Sequence, residues 1–181
     1  MSSHSSVVII DPQHSFSSIA DDQFLLATFS FPDDSYLEAM IEFLLGSPHG
    51  QHFTTIIFRK EQSQIVGVTD ASAERIARII AEHPSVVRID IEPNTLTVEG
   101  IKTIIAALPK LTKLEDLIFD ASNWNLDTAK AALEAVKKLP QGTPFKRIGA
   151  CTTRDSIDDF GAFEEVCKEI HETLRAKNRD T

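Results

Sequence analysis

The residues of this chain that could do chemistry form three groups. His49-x-x-His52 lies in a loop that also carries Pro48 and Gly50. Two imidazoles that close can share a metal ion, but a tetrahedral site needs more ligands and spacing places no third one. Cys151 follows Lys146-Arg147, whose charges would favour a thiolate, yet no histidine is assignable to it as a base. The third group is the largest. Asp90, Glu92, Glu115, Asp116 and Asp120 fall in two short apolar-alternating stretches, with Arg88 among them. The basic pairs Arg59-Lys60 and Lys146-Arg147 fall in the stretches before and after. No G-x-S-x-G, P-loop or G-x-G-x-x-G motif is present. Asp159-Phe160-Gly161 spells a kinase tripeptide, but the Gly-rich loop, Val-Ala-Ile-Lys and His-Arg-Asp that give it meaning are missing.

Whether the charged group acts together depends on the elements that carry it. The clearest stretch is Val86–Leu108. Val86, Ile89, Ile91 and Leu96, with Asn94 before the last, read L-x-x-L-x-L-x-x-N-x-L with Val or Ile for most leucines. From Thr97 the period becomes helical: Val98, Ile101, Ile104, Ile105, Leu108. A short strand, an Asn-bearing turn and an amphipathic helix follow each other in about 25 residues. Such a unit cannot bury its apolar face alone, so it needs stacked neighbours.

The rest of the chain supplies them. Leu26, Phe29 and Phe31 begin one unit, and Ser35-x-x-Glu38 reads as a capping box for a helix bearing Leu37, Met40, Ile41, Leu44 and Leu45. Phe53, Ile56 and Phe58 begin the next, followed by a helix at about Asp70–Glu82. Ile65, Val66 and Val68, between them, are expected to fold back onto the core. Leu114, Leu117 and Phe119 precede a helix capped by Asn125. Phe145, Ile148 and Ala150 precede a final helix. The unit starts Leu26, Phe53, Val86, Leu114 and Phe145 stand 27, 33, 28 and 31 residues apart. All strands should be parallel, because each is followed by a helix that returns the chain.

This pattern resembles the leucine-rich repeat of the longer ribonuclease-inhibitor type. The resemblance implies a short α/β solenoid or horseshoe, with a parallel sheet on the concave face and α-helices on the convex face. Residues 1–6 are expected to be disordered and 7–177 to form a single domain of about five repeats. An N-terminal cap falls at 7–20, a C-terminal capping helix near 158–177 and a tail at 178–181. In such a fold Ile57, Arg59, Lys60, Arg88, Asp90, Glu92, Glu115, Asp116, Ile118, Asp120, Lys146 and Arg147 share the concave face or its edge. Strands about 4.8 Å apart bring those charges into one field. The functional reading is a docking surface with an acidic centre, with Ile57, Ile118 and Val87 as apolar anchors and Trp124 as a hot spot on the rim. The same residues would also serve a solvated sheet face whose charges neutralise across strands, and Trp124 would also serve as a plug over the core.

Composition sets bounds. A chain of 181 residues suffices for one domain with a core. A formal charge of −9 disfavours nucleic acid and anionic membranes. No apolar run approaches the roughly 18 residues of a membrane span, and MSSHSS does not read as a secretory signal. Two cysteines suggest buried thiols in a reducing compartment. The family likeness implies a non-enzymatic, monomeric protein-binding module without cofactor or metal. Such a module is cytoplasmic, or is a bacterial effector translocated into a host cell to act on a host protein. Glu164, Glu165 and Glu169 near the C-terminus are similar to secretion-signal tails of such effectors, and they also suit the outer face of a capping helix. Two other readings stand beside this: a small α/β enzyme with an unrecognised site, and a structural module that self-assembles through Phe24–Thr28 or an open edge.

Overall fold

Among the described residues six short strands lie side by side in chain order, all parallel: β1 (Ser6–Ile10), β2 (Phe24–Ser30), β3 (Thr55–Arg59), β4 (Arg88–Ile91), β5 (Asp116–Phe119) and β6 (Arg147–Ala150). The computed structural model describes residues 6–10, 24–30, 34–48, 50–59, 68–91, 96–119, 124–150 and 159–178; of 6–10, 24–30, 34–37 and 59 it describes the backbone alone. Five helices follow the strands: α1 (Asp34–Gly46), α2 (Asp70–Glu82), α3 (Val98–Ile105), α4 (Leu126–Lys137) and α5 (Phe160–Lys177). Each packs beside the next. Right-handed crossovers between parallel strands taken in order put the described helices on one face. Among the described residues the other face of the sheet carries no helix.

Strand alternation decides what goes inside. On the helix side Ile56 and Phe58 of β3 align with Ile89 and Ile91 of β4, then with Leu117 and Phe119 of β5. All six are buried. The expected first motif positions Phe53, Val86, Leu114 and Phe145 are each fully buried just ahead of their strands. The helices answer with Met40, Ile41 and Leu44, then Ile76, Ile79 and Ile80, then Ile101, Ile104 and Ile105, then Leu133 and Val136, then Phe163, Ile170 and Leu174. At about 1.5–3 kcal/mol for each large apolar side chain removed from water, this continuous core outweighs every polar contact described below. Val68 is buried, as expected; Ile65 and Val66 lie outside the described residues.

The backbone repeats as well. Thr54 O accepts from Val87 N at 2.7 Å and Arg88 N at 3.0 Å; Val87 O accepts from Glu115 N and Asp116 N at the same two distances. Glu115 O then accepts from Lys146 N and Arg147 N, again at 2.7 and 3.0 Å. Each strand thus enters the sheet through one joint, two amides on one carbonyl, used three times.

Two expectations need correction. The first unit's register lies two residues earlier than expected: β2 pairs Ala27 with Ile56 and Phe29 with Phe58, so Phe29 takes the position expected of Phe31, which lies outside the described residues, and Leu26 aligns with Thr55 on the other face. Ser35 is not an N-cap, because α1 already begins at Asp34. The segment expected as an N-terminal cap, 7–20, opens in a strand. Its strand β1 joins the same parallel sheet, with Val8 and Ile10 beside Ala27 and Phe29, and its first residue is Ser6. Residues 1–5, 11–23 and 179–181, and the motif residues Asn94, Ser122 and Asn123, lie outside the described residues. Asn125 does cap α4, accepting from Asp127 N and Thr128 N, while Thr128 Oγ1 accepts from Asn125 N. Asp159, at φ 53°, caps α5 through Ala162 N, so the kinase-like tripeptide is a helix start.

Polar contacts tie successive units on the helix side. His83, just after α2, is fully buried. Its Nδ1 accepts from Ser85 N at 3.2 Å and Val86 N at 3.1 Å. That leaves Nε2 as the protonated nitrogen, 3.1 Å from Gly50 O. Thr112 Oγ1 donates to His83 O at 2.7 Å. Burial holds the His83 pKa below its ordinary value of 6.5, against a smaller upward pull from the Gly50 carbonyl. Gly50 has no room for a side chain: a Cβ there would stand 2.1 Å from Phe43 O. Across α2 and α3, Asp70 takes Thr97 N on Oδ1 at 2.8 Å and Thr97 Oγ1 on Oδ2 at 2.6 Å. Thr97 in turn caps α3 through Glu99 N and Gly100 N.

Candidate functional site

The helix-free face is built from two rows that cross the strands. The first is Thr55, Arg88, Asp116 and Arg147; the second is Ile57, Asp90, Ile118 and Gly149. Sequence register therefore brought Ile57, Arg88, Asp90, Asp116, Ile118 and Arg147 onto one surface, with Glu115 and Lys146 at its edge just ahead of β5 and β6. Arg59 belongs to β3, and its side chain lies outside the described residues, as do Lys60, Glu92 and Asp120.

The described charges answer one another. Arg88 Nη2 donates to Asp90 Oδ2 at 2.7 Å, Arg147 Nη2 to Asp116 Oδ2 at 2.9 Å, and Lys146 Nζ to Glu115 Oε2 at 2.5 Å. The last two pairs bridge β5 and β6. Three acids of the expected centre are thus paired, Glu115 and Asp116 across strands and Asp90 within β4. Asp90 departs further: its side chain is only 5% exposed. It is enclosed, because Arg88 reaches it from the same strand and Ile57 and Ile118 flank it in the row. Its Oδ1 is buried without a hydrogen-bond partner. A buried acceptor left unmatched costs on the order of 1–3 kcal/mol.

Trp124 is corrected outright. It is 3% exposed and stacks on Phe119, ring centroids 5.6 Å apart at 16°. It plugs the core and offers no rim to a partner. Cys167 lies below it, half-buried; burial raises its thiol pKa and a weaker hydrogen bond with Trp124 lowers it. That is the opposite of an activated thiolate. Cys151 and His49 lie outside the described residues, and His52 is exposed at the end of a short 3-10 turn, Gly50–His52. Among the described residues no grouping of His, Cys, Asp or Glu could hold a metal ion, and no helix is long and apolar enough to cross a membrane. Sequence reasoning missed His83, whose only signal was His-Pro directly after a helix, and Arg175 and His171 of α5.

No protein-family model matches the chain, and no curated protein matches it. Solved structures do. The chain is similar to leiomodin-1 actin-binding site 2, with TM-score 0.55 and 14% identity over 79% of this chain and 76% of that one. It is also similar to the tropomodulin C-terminal domain of Caenorhabditis elegans, with TM-score 0.56 and 14% identity over 89% and 93%. At that identity the likeness is one of fold. It overturns the assignment to ribonuclease-inhibitor-type leucine-rich-repeat proteins, since the neighbours named are tropomodulin and leiomodin domains. The effector reading leaned on that assignment and finds no support here: α5 places Glu164 and Glu165 outward and pairs Glu169 with Lys137 at 3.1 Å. What stands is an α/β fold of parallel strands with helices on one side, shared with tropomodulin and leiomodin domains.

Proposed function

We infer that this domain is a non-enzymatic protein-binding module and that the helix-free sheet face is its contact surface. Helices pack 8–10 Å apart and strands about 4.8 Å apart. Stacked strand–helix units are therefore wider on the helix side, which favours a solenoid with the sheet on its concave side. The observation that carries the reading is Asp90 Oδ1, an unmatched acceptor buried between two half-buried isoleucines, Ile57 and Ile118, on that face. A partner that inserts an N–H donor between apolar groups would satisfy it, and the paired charges around it would set the partner's orientation.

The leiomodin-1 domain, named for its actin binding, makes filamentous actin the first partner to try. The test is co-sedimentation of the full chain with actin filaments, beside Ile57→Lys. That substitution sets an ammonium next to Asp90 and blocks the row, so it should leave the melting temperature unchanged or higher. Wild type pelleting with filaments while Ile57→Lys stays in solution is the expected result. Equal pelleting would reject the sheet face; a wild-type chain that never pellets would reject actin.

A further inference from the structure

Among the described residues the last unit ends in an edge strand, β6, with one side unpaired. Arg147 N donates to Glu115 O, so Arg147 and Gly149 direct their backbone groups toward β5. By the period of a parallel ladder, the N–H and C=O of Ile148 and Ala150 point away from the sheet. Among the described residues no strand lies beyond β6. An edge of this kind is a template for another strand unless something blunts it.

Two hollows border that edge. One, of about 360 Å³, runs around β6, from Gly149 on the helix-free face to Trp124, Phe163, Cys167 and Ile170 on the helix side. Gly149 leaves its side open, since a Cβ there would meet nothing within 4 Å. The other, of about 520 Å³, lies by the start of β6 and is lined by Lys146, Arg147, His171, Leu174, Arg175 and Asn178. In a chain of net charge −9 this is a local concentration of cations. Among the described residues Arg175 makes no ion pair, while Lys146 and Arg147, themselves exposed, each hold one half-buried carboxylate across the strands.

We propose that the β6 edge binds an extended acidic peptide segment of a partner protein by strand addition. The segment's backbone pairs with Ile148 and Ala150. Its side chains alternate between the space over Gly149 and the apolar hollow under Trp124. Its acidic end meets Lys146, Arg147 and Arg175. A second copy of this chain is a poorer occupant, because edge-to-edge pairing would bring two basic clusters into one interface. This surface shares Arg147 and Gly149 with the border of the helix-free face, but the variants that test it, at Arg175 and Ala150, lie outside that face's two rows.

The probe is a fluorescein-labelled peptide with an acidic first half and alternating Val and Thr in the second, read by anisotropy. Controls are the same peptide with Lys for every acid and one with alternate amides N-methylated. The acidic peptide should bind and both controls should fail. Arg175→Glu should weaken binding by about tenfold or more. Ala150→Pro, which removes an outward donor at an edge position that tolerates proline, should abolish it, with circular dichroism melting near wild type. Amide exchange of Ile148 and Ala150 should slow on binding, a readout that stands even if Ala150→Pro folds poorly. Binding of the Lys peptide as well, no binding of the acidic one, unchanged exchange at Ile148 and Ala150, or a peptide-free dimer in sedimentation would each overturn the proposal.

Discussion

The two sides of the sheet differ in what their inner polar contacts hold. On the helix side the outer surface carries exposed ion pairs such as Arg75–Glu38, Arg78–Glu42 and Lys137–Glu169, but the buried contacts nearer the sheet are directed at backbone. His83 holds Gly50 O, Ser85 N and Val86 N at once, in an environment that burial has stripped of water. On the helix-free side they are side chain to side chain, and most are open to solvent: Arg147 is 51% exposed and Lys146 61%. A buried donor or acceptor that loses its partner has no water to turn to, whereas an exposed ion does. The helix side therefore governs how units stack, and the open side is free to vary its charges for recognition.

The contrast can be broken most sharply at Gly50. A methyl group there must displace the Phe43 backbone, so Gly50→Ala is expected to cost about 2–4 kcal/mol in urea unfolding at unchanged slope. His83→Ala comes next. It leaves Ser85 N and Val86 N without their acceptor beside a new cavity, while Gly50 O keeps Phe53 N, and should cost about 2–3 kcal/mol. His83 also gives the protein a pH dependence. Its folded pKa lies below 6.5, so its contribution is fully present above that value. As pH falls below 6.5, the unfolded chain takes up a proton that the folded chain refuses, and stability declines. Comparing urea midpoints near pH 7.5 and pH 5, the drop should be larger in wild type than in His83→Gln; equal drops would place the acid sensitivity elsewhere. The smallest effect belongs to the open face. A double-mutant cycle on Asp116 and Arg147 should return a coupling below about 1 kcal/mol that fades in high salt. A larger, salt-resistant coupling would erase the distinction drawn between the two sides.

The repeat itself was legible because burial on one side imposes a period of two on strands and 3.6 on helices. Phe53, Ile56 and Phe58 could hardly be read otherwise, and the same holds from Val86 onward. The first unit misled for a physical reason. Phe24-Leu25-Leu26-Ala27-Thr28-Phe29 is apolar at nearly every position, so hydrophobicity carries no phase and the register slipped by two. Asp90 and Trp124 were misplaced because residue type speaks to average exposure. Asp90 is enclosed by neighbours from other strands, and Trp124 by stacking on Phe119. His83 was passed over for His49-x-x-His52, although that turn does matter: its Gly50 carbonyl is what His83 holds. Local spacing cannot announce a contact between residues 33 positions apart.

The joint repeated at Thr54, Val87 and Glu115 has one more consequence. Because its geometry is the same at each step, it carries no information about which strand should follow which. Any strand of the set could be spliced beside any other with equal backbone satisfaction. The order must be written in contacts that occur once, and His83 with Gly50 and Asp70 with Thr97 are such contacts. They act as keys cut for a single lock. A chain that lost them could still close every joint and assemble its strands in the wrong sequence.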